Sequence, residues 1–331
     1  MKAVVCERFG EPSESLSVKD VPSPECGAGQ AMVRMLASPV NPSDLMTVRG
    51  VYGRRPSLPF TPGYEGVGVV EEAKGWLAWF RGLKGKRVAV LNGTGGNWAE
   101  RVAIPSRQAV PLPDSIPDEQ AASFFVNPAS AIVMTRHVLR VPRGAWLLQT
   151  AAGSMLGRMV IRLGKRNGFK TVNLVRRREQ VAELRALGAD EVLVLGEDAI
   201  PQAVRSLSKD GVGHALDCVG GAMGSEAVKC LGPKGRLLLY GTLSGEPISF
   251  DPRLLMVGGK RIEGFWLSEW VQTRGPLAML SLFGQIDALM REGVLATETG
   301  TAYPMAQVAD AVREAEKPGR GGKVMLRLGT R

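Results

Sequence analysis

The chain has 331 residues, with 42 Lys and Arg against 32 Asp and Glu, for a formal net charge of +10. That length accommodates two domains with sizeable cores, and no run is apolar and long enough to span a bilayer. The four cysteines form no CxxC, and the two histidines complete no ligand spacing. A disulfide framework and a zinc-ligand cluster are therefore excluded, which fits a reducing cytoplasm. The basic balance suits an anionic ligand. Such a chain can meet nucleic acid, an anionic membrane surface, a phosphorylated ligand or an acidic carrier. With no helix-turn-helix, RNP or zinc-finger signature and no spanning run, neither a nucleic-acid nor a membrane partner is expected, and most of the arginines read as a solvated basic surface.

The N-terminus enters a strand directly, with no leader-like segment before it. Up to about residue 115 the chain reads as short β-like runs at 2–6, 30–37, 66–72, 87–91 and 98–104, separated by Gly- and Pro-rich turns. This pattern predicts a small irregular barrel. A helix start at Pro117, Asp118 and Glu119 opens an apolar pattern that runs to Leu139, with Pro128 expected to kink or split it. From Trp146 the pattern alternates between β and α. Candidate strands lie at 146–151, 171–175, 191–195, 214–219, 236–241 and 261–266, with helices at 154–167, 178–187, 199–208 and 221–231 between them. Six strands with crossover helices predict a doubly wound parallel sheet. A helical stretch at 276–291 follows, then β-like runs at 302–305 and 323–328 in the style of the N-terminal region. The first domain is therefore expected to be discontinuous, 1–117 plus 268–331, enclosing a nucleotide-binding domain at 118–267.

The segment 146–178 carries the clearest chemistry. An apolar strand enters the turn Ala151, Ala152, Gly153, Ser154 and leads into a helix with Met155, Leu156, Gly157, Met159, Val160 and Leu163. A tight turn before a bare helix N-terminus is what a pyrophosphate requires, since backbone N–H groups must reach it. Alanines stand where glycines are usual. Arg176 lies 19 residues after Gly157, and Arg177 and Arg178 follow it. At this distance an NAD-binding unit places a carboxylate on the ribose 2′-hydroxyl; guanidinium groups instead suit the 2′-phosphate of NADPH. The other reading is a solvated basic turn, but positive charge at a helix N-terminus opposes the helix dipole, which favours an anionic ligand.

Asn41-Pro42-Ser43-Asp44 followed by Arg49-Gly50-Val51-Tyr52-Gly53 resembles a segment of the mitochondrial-type 2-enoyl thioester reductases. So do Phe125-Val126-Asn127-Pro128 and Gly264-Phe265-Trp266-Leu267-Ser268. Pro62-Gly63-Tyr64-Glu65-Gly66-Val67-Gly68 resembles the GHE motif of the medium-chain dehydrogenase/reductase superfamily, with tyrosine in place of histidine. The resemblance spans nearly the whole chain. It implies a GroES-like, partly open β-barrel catalytic domain joined to a six-stranded Rossmann sheet, α/β overall. The Cys and His ligands of the zinc-dependent branch are missing, so the resemblance points to the zinc-independent, quinone-oxidoreductase-like branch.

The resemblance also implies roles. Tyr52 matches the tyrosine that acts at the thioester, and Trp266 is the second candidate beside the reacting group. Cofactor contacts carry over to Asn41, Asn127, Tyr240, Gly241, Thr242, Leu243, Phe265, Trp266, Leu267, Ser268 and Lys323, alongside Gly153 to Gly157 and Arg176 to Arg178. Glu65 reads as structural. Apart from the resemblance, Arg49, Arg54 and Arg55 flank Tyr52; such a cluster is ordinarily solvated, and the lesser reading is that it meets the phosphates of coenzyme A or an acidic acyl carrier protein. The implied activity is NADPH-dependent reduction of the double bond of a trans-2-enoyl thioester in fatty acid metabolism, by a cytoplasmic homodimer without a metal. An NADPH:quinone or activated-alkene reductase is the alternative, and an NADPH-binding or RNA-binding protein without turnover the more distant one.

Overall fold

A computed structural model describes residues 1–53 and 55–329. The chain divides into two compact units, Met1–Val126 with Thr297–Arg331, and Asn127–Ala296.

The first unit begins with β1 (Lys2–Cys6) and β2 (Leu16–Asp20), paired antiparallel, with β1 also bridging to Ala99 and Phe60. β3 (Gln30–Pro39), β4 (Glu65–Ala73), β5 (Arg87–Leu91), β6 (Arg101–Pro105) and β7 (Ala109–Pro111) follow. The second unit contributes β8 (Trp146–Gln149), β9 (Lys170–Val175), β10 (Glu191–Val194), β11 (Val212–Asp217), β12 (Leu231–Leu239) and β13 (Arg261–Gly264). The chain then returns to the first unit with β14 (Thr299–Pro304) and β15 (Lys323–Arg327).

In the first unit the sheet order is β14-β15-β3-β4-β5-β7, with β6 pairing on β3. All these pairs are antiparallel except β14 with β15. Its core gathers Val33, Met35, Val88, Val90, Trp98 and Leu326, all essentially excluded from solvent. Alternation along short antiparallel strands buries one face of each, as the period of two requires.

In the second unit the order is β10-β9-β8-β11-β12-β13, every pair parallel. Counted from β8, that is 3-2-1-4-5-6. The direction of winding reverses between β8 and β11, and the carboxyl ends of strands at such a point form the ligand crevice of open α/β sheets. Leu148, Val172, Leu174, Leu193, Ala215 and Leu237 fill the core, as expected of strands covered on both faces.

Two boundaries differ from the sequence expectation of 117/118 and 267/268. Residues 118–126 belong with the barrel, because Arg87 is paired with Asp118 at 2.7 Å and Gln120 accepts from the backbone of Thr297 at 2.9 Å. Residues 268–296 belong with the nucleotide unit. The helix Pro276–Arg291 buries Leu282, Ile286 and Leu289, and Arg162 donates to the carbonyls of Val294 (2.9 Å) and Ala296 (2.7 Å). The expected helix from 117 to 139 is also broken differently. Asp118–Ala122 ends ahead of Pro128, and Pro128 lies in the first turn of the next helix, Val126–Ile132. A first-turn residue has no intrahelical acceptor to lose, so proline costs little there. A π-helical turn, Val133–Val138, continues that segment.

Candidate active site

In the first unit the NPSD segment starts a helix, Pro42–Val48, with Asn41 as its N-cap. The Asn41 amide N–H donates to Asp44 Oδ2 at 2.8 Å, closing a capping box, while proline occupies the first helical position. This orientation turns the Asn41 side chain inward. Its Nδ2 donates to Glu65 Oε1 at 3.0 Å, and its Oδ1 accepts from the ammonium of Lys323. Glu65 Oε2 in turn accepts from the backbone N–H of Val126 at 2.9 Å, at the start of the Val126–Ile132 helix, where negative charge is favoured. Asn41, Asp44, Glu65 and Lys323 are all at most 3% exposed.

These four form a buried network of two carboxylates, one ammonium and one amide. Burial pushes the Asp44 carboxyl up to about 7, against the pull of the Asn41 N–H and of Lys323. Burial also raises Glu65 and lowers Lys323 to about 8, the latter against the attraction of both carboxylates. Asp44 Oδ1 has no hydrogen-bond partner among the described residues, which adds to the cost of its charge.

Tyr64 sits at the edge of this network. It is delivered by Gly63, whose φ of +100° favours glycine and whose Cβ would lie 2.5 Å from the ring of Trp98. The Tyr64 hydroxyl shares a 2.8 Å hydrogen bond with Thr47 Oγ1, and Thr47 is itself fixed to the Ser43 carbonyl at 2.8 Å. Burial raises the Tyr64 phenol above its ordinary value, so it stays protonated. The Tyr52 ring packs on the Tyr64 ring, centroids 5.9 Å apart and planes inclined at 51°, and Tyr52 is half-buried. The Tyr52 ring is thereby linked, through the Tyr64 ring and its bond to Thr47, to the helix Pro42–Val48.

Two of the three arginines near Tyr52 have partners within their own unit. Arg49 pairs with Glu11 (3.1 Å) and Glu316 (2.7 Å). Arg55 donates to the Gly50 carbonyl at 2.9 Å and stacks over Phe9 at 4.7 Å. Arg54 lies outside the described residues.

In the second unit the candidate residues gather at the carboxyl ends of strands. β8 runs into the 151–156 turn, β9 into Arg176, β12 into Tyr240 to Leu243, and β13 into Phe265 to Ser268. Ser154 caps the helix Met155–Asn167, its Oγ accepting from Gly157 N at 3.1 Å. A Cβ on Gly157 would meet the Ala152 backbone at 2.5 Å, so only glycine lets the helix start this close to the strand. Ala151 adopts a φ of +48°, a left-handed conformation that an L side chain resists. The turn keeps the backbone of a glycine fingerprint although alanine occupies the position.

Beneath it, Gln149 Nε2 donates to the Gly157 carbonyl (2.9 Å) and to Asn173 Oδ1 (2.7 Å). Thr150 Oγ1 donates to Asp217 Oδ1 at 2.6 Å, and Asp217 accepts from the N–H groups of Val219 and Gly220 at 3.0 Å each. These buried polar side chains hold the two loops that flank the reversal between β8 and β11. Arg176 and Arg177 are exposed and, among the described residues, form no ion pair; Arg178 is paired with Glu197. Tyr240 is half-buried, and its hydroxyl lies beside Cys218, whose thiol burial pushes up to about 11. Phe265 N donates to the Leu239 carbonyl at 2.8 Å, and Trp266 caps the helix Leu267–Gln272. Asn127 is half-buried in the first turn of its helix.

Of the sequence candidates, the structure thus brings Asn41 and Lys323 together with Glu65 and Asp44 inside the first unit. It places the turn, the arginines and the two loops at one end of the parallel sheet in the second. Thr47 and the ring contact from Tyr64 to Tyr52 were missed by sequence reasoning. The spacing Asn41-x-x-Asp44 before Leu45 and Val48 is a capping-box signal that predicts the helix, and with it the position of Thr47.

Residues 27–114 match the alcohol dehydrogenase GroES-like domain, and residues 156–282 match the zinc-binding dehydrogenase family. The chain belongs to the medium-chain dehydrogenase/reductase superfamily, in its zinc-independent branch, and so to a class of NAD(P)-dependent oxidoreductases. It is 30% identical over 325 residues to the mitochondrial enoyl-[acyl-carrier-protein] reductase of Rattus norvegicus, covering 96% of this chain and 86% of that protein. A proposed NADPH:quinone reductase of Bacillus thuringiensis superposes with a TM-score of 0.93 at 32% identity, covering 99% of each chain. The quinone oxidoreductase of Thermus thermophilus, solved alone and with NADPH, superposes with a TM-score of 0.81 at 30% identity, covering 99% of this chain and 100% of the other.

The zinc in the family description does not fit the donors found here. The Tyr64 phenol is bonded to Thr47, the Asn41 amide to Glu65 and Lys323, and both carboxylates to N–H groups. Among the described residues no three His, Cys, Asp or Glu side chains converge.

Proposed function

We propose that this chain is an NADPH-dependent reductase of the carbon–carbon double bond of trans-2-enoyl thioesters, carried on coenzyme A or acyl carrier protein. The observation that carries the reading is Tyr52, a phenol on a loop braced by Tyr64 and Thr47, in a chain about 30% identical to enoyl-[acyl-carrier-protein] reductases.

The N-terminus of the Ser154-capped helix, held close to the preceding turn by Gly157, points first-turn backbone N–H groups at a pyrophosphate. Arg176 and Arg177 offer guanidinium groups to a 2′-phosphate. Both features fit NADPH. When bound, NADPH supplies the hydride that adds to the β-carbon of the enoyl group. The Tyr52 phenol donates to the thioester oxygen, where negative charge gathers, or delivers the proton that completes the reduction. Tyr64 keeps the Tyr52 ring in place.

A second reading is an NADPH:quinone reductase, favoured by the TM-score of 0.93 with a neighbour of that description. The deciding experiment is NADPH oxidation followed spectrophotometrically with crotonyl- or hexenoyl-CoA beside a simple quinone. Turnover of the enoyl thioester at the higher kcat/KM supports the first reading. Turnover of the quinone alone replaces it with the second.

The arginines are separable in the same assay. Arg176→Ala with Arg177→Ala is expected to raise the KM for NADPH about 10- to 100-fold, the loss of one or two charge-assisted hydrogen bonds, with little change for NADH. Arg178→Ala is expected to have a several-fold smaller effect, because its guanidinium is already taken by Glu197. Equal effects from all three positions would remove the distinction.

A further inference from the structure

On the first unit, outside the residues assigned to the site, the five-residue helix Trp76–Phe80 turns its apolar face outward. Trp76, Trp79 and Phe80 stand at i, i+3 and i+4, one face of a helix, and are 78%, 84% and 77% exposed. Large aromatics on a soluble surface are ordinarily at least half covered, and three together form a patch that marks a contact surface. The turn is firmly seated. Ala78 and Leu83 are buried beneath it, and Arg81 donates to the carbonyls of Ser106 (2.8 Å) and Ala109 (2.9 Å).

The segment that carries the rings is basic. Between Lys74 and Lys86 there is no acidic residue, and Lys84 and Lys86 are exposed. Arg107, exposed on the Ser106–Gln108 turn against which the helix packs, adds a third free-standing cation, and Lys74 is partly offset by Glu72 at 3.2 Å. A second copy of the chain would bring the same cations to the contact and be repelled. The patch is a small protruding turn that offers rings to be immersed and cations to remain at the surface. Indole and phenyl groups beside lysine are the chemistry of the membrane–water interface, and stable anchoring there takes two signals, apolar insertion and attraction to anionic headgroups.

We propose that the Trp76–Phe80 turn docks the protein on an anionic lipid surface, the three rings entering the headgroup region while Lys84, Lys86 and Arg107 meet the phosphates. The chain has no spanning run, and a surface anchor needs none.

The test is co-sedimentation of the intact chain with vesicles of phosphatidylglycerol and phosphatidylcholine, or phosphatidylcholine alone, at about 0.15 M salt. The protein is expected to partition onto the anionic vesicles at least tenfold more strongly. Its tryptophan emission should shift to the blue and be quenched by brominated lipid. Trp76→Ser, Trp79→Ser and Phe80→Ser combined should lower that partition tenfold or more, and Lys84→Glu with Lys86→Glu should abolish the preference for anionic lipid. NADPH binding and the melting temperature, unchanged in both variants, serve as the control for folding. Absence of vesicle binding, or binding that the triple variant retains, overturns the proposal. So does capture of an acidic carrier protein or a second copy through the same rings without vesicle binding.

Discussion

Tyr52→Phe is expected to lower kcat for an enoyl-CoA by a factor of about 10² to 10⁴, the usual worth of a positioned proton donor. KM should move little, because the ring that remains still packs on Tyr64 at 5.9 Å. Quinone reduction should be far less sensitive, since an aromatised product carries its own negative charge. The pair of substrates makes the variant informative. Equal loss on both would assign Tyr52 to cofactor or loop geometry, and no loss on either would end its catalytic assignment. Tyr64→Phe separates support from chemistry. It removes the 2.8 Å bond to Thr47 but keeps the ring stack, so its loss of kcat should be much smaller than that of Tyr52→Phe.

Lys323→Met is expected to destabilise the fold by about 3–5 kcal/mol, because it leaves Asp44 and Glu65 buried without their cation. A methionine fills much of the same volume, so the loss is electrostatic, and it should depend on pH. As pH falls below about 7 Asp44 takes up a proton, and Glu65, also raised by burial, follows, so the penalty should shrink; it should be fullest between the Asp44 value of about 7 and the Lys323 value of about 8. Asp44 sets a related slope in the parent protein. Its folded pKa, about 7, lies above the unfolded value, so over that interval the folded state holds more protons and the unfolding free energy falls as pH rises. Asp44→Asn should remove that slope, on the order of 3 kcal/mol between pH 4 and 8. Denaturant titration at several pH values measures both variants. A Lys323→Met protein as stable as its parent between the Asp44 and Lys323 values would show that the network contributes nothing.

The nucleotide unit was legible because each of its strands is a local event. Continuous apolar runs such as 146–149 and 171–175 alternate with helical spacing, so the six strands and their parallel class follow from period alone. Arg176 and Arg177 were singled out the same way, by their fixed distance beyond Gly157, and the structure places both exposed at the end of β9. The buried network was not. Asn41 and Lys323 are 282 residues apart, and nothing near Lys323 in the sequence distinguishes it from a lysine at the start of an exposed strand. Tertiary pairing decides its burial. The unit boundaries failed for a similar reason: helix Pro276–Arg291 reads as an ordinary amphipathic helix, and only Arg162 and its buried face show which core it serves. Ala151 is a different kind of miss. Its residue type argues against a left-handed turn, and the surrounding hydrogen bonds impose that turn regardless.

The pairing of β15 with β3 sets a timetable for synthesis. A ribosome has released everything needed for the parallel sheet by the time residue 296 emerges, while the sheet of the first unit still lacks its closing strands. Through that interval Asp44 and Glu65 have no ammonium to pair with, and the Ala37–Pro39 end of β3, beyond its pairing with β6, presents an open edge. At ordinary elongation rates the remaining stretch takes a few seconds. Nascent chains held so that residue 296 has left the ribosome but β15 has not should therefore hold a protease-resistant C-proximal unit beside an N-proximal segment that is still cleaved.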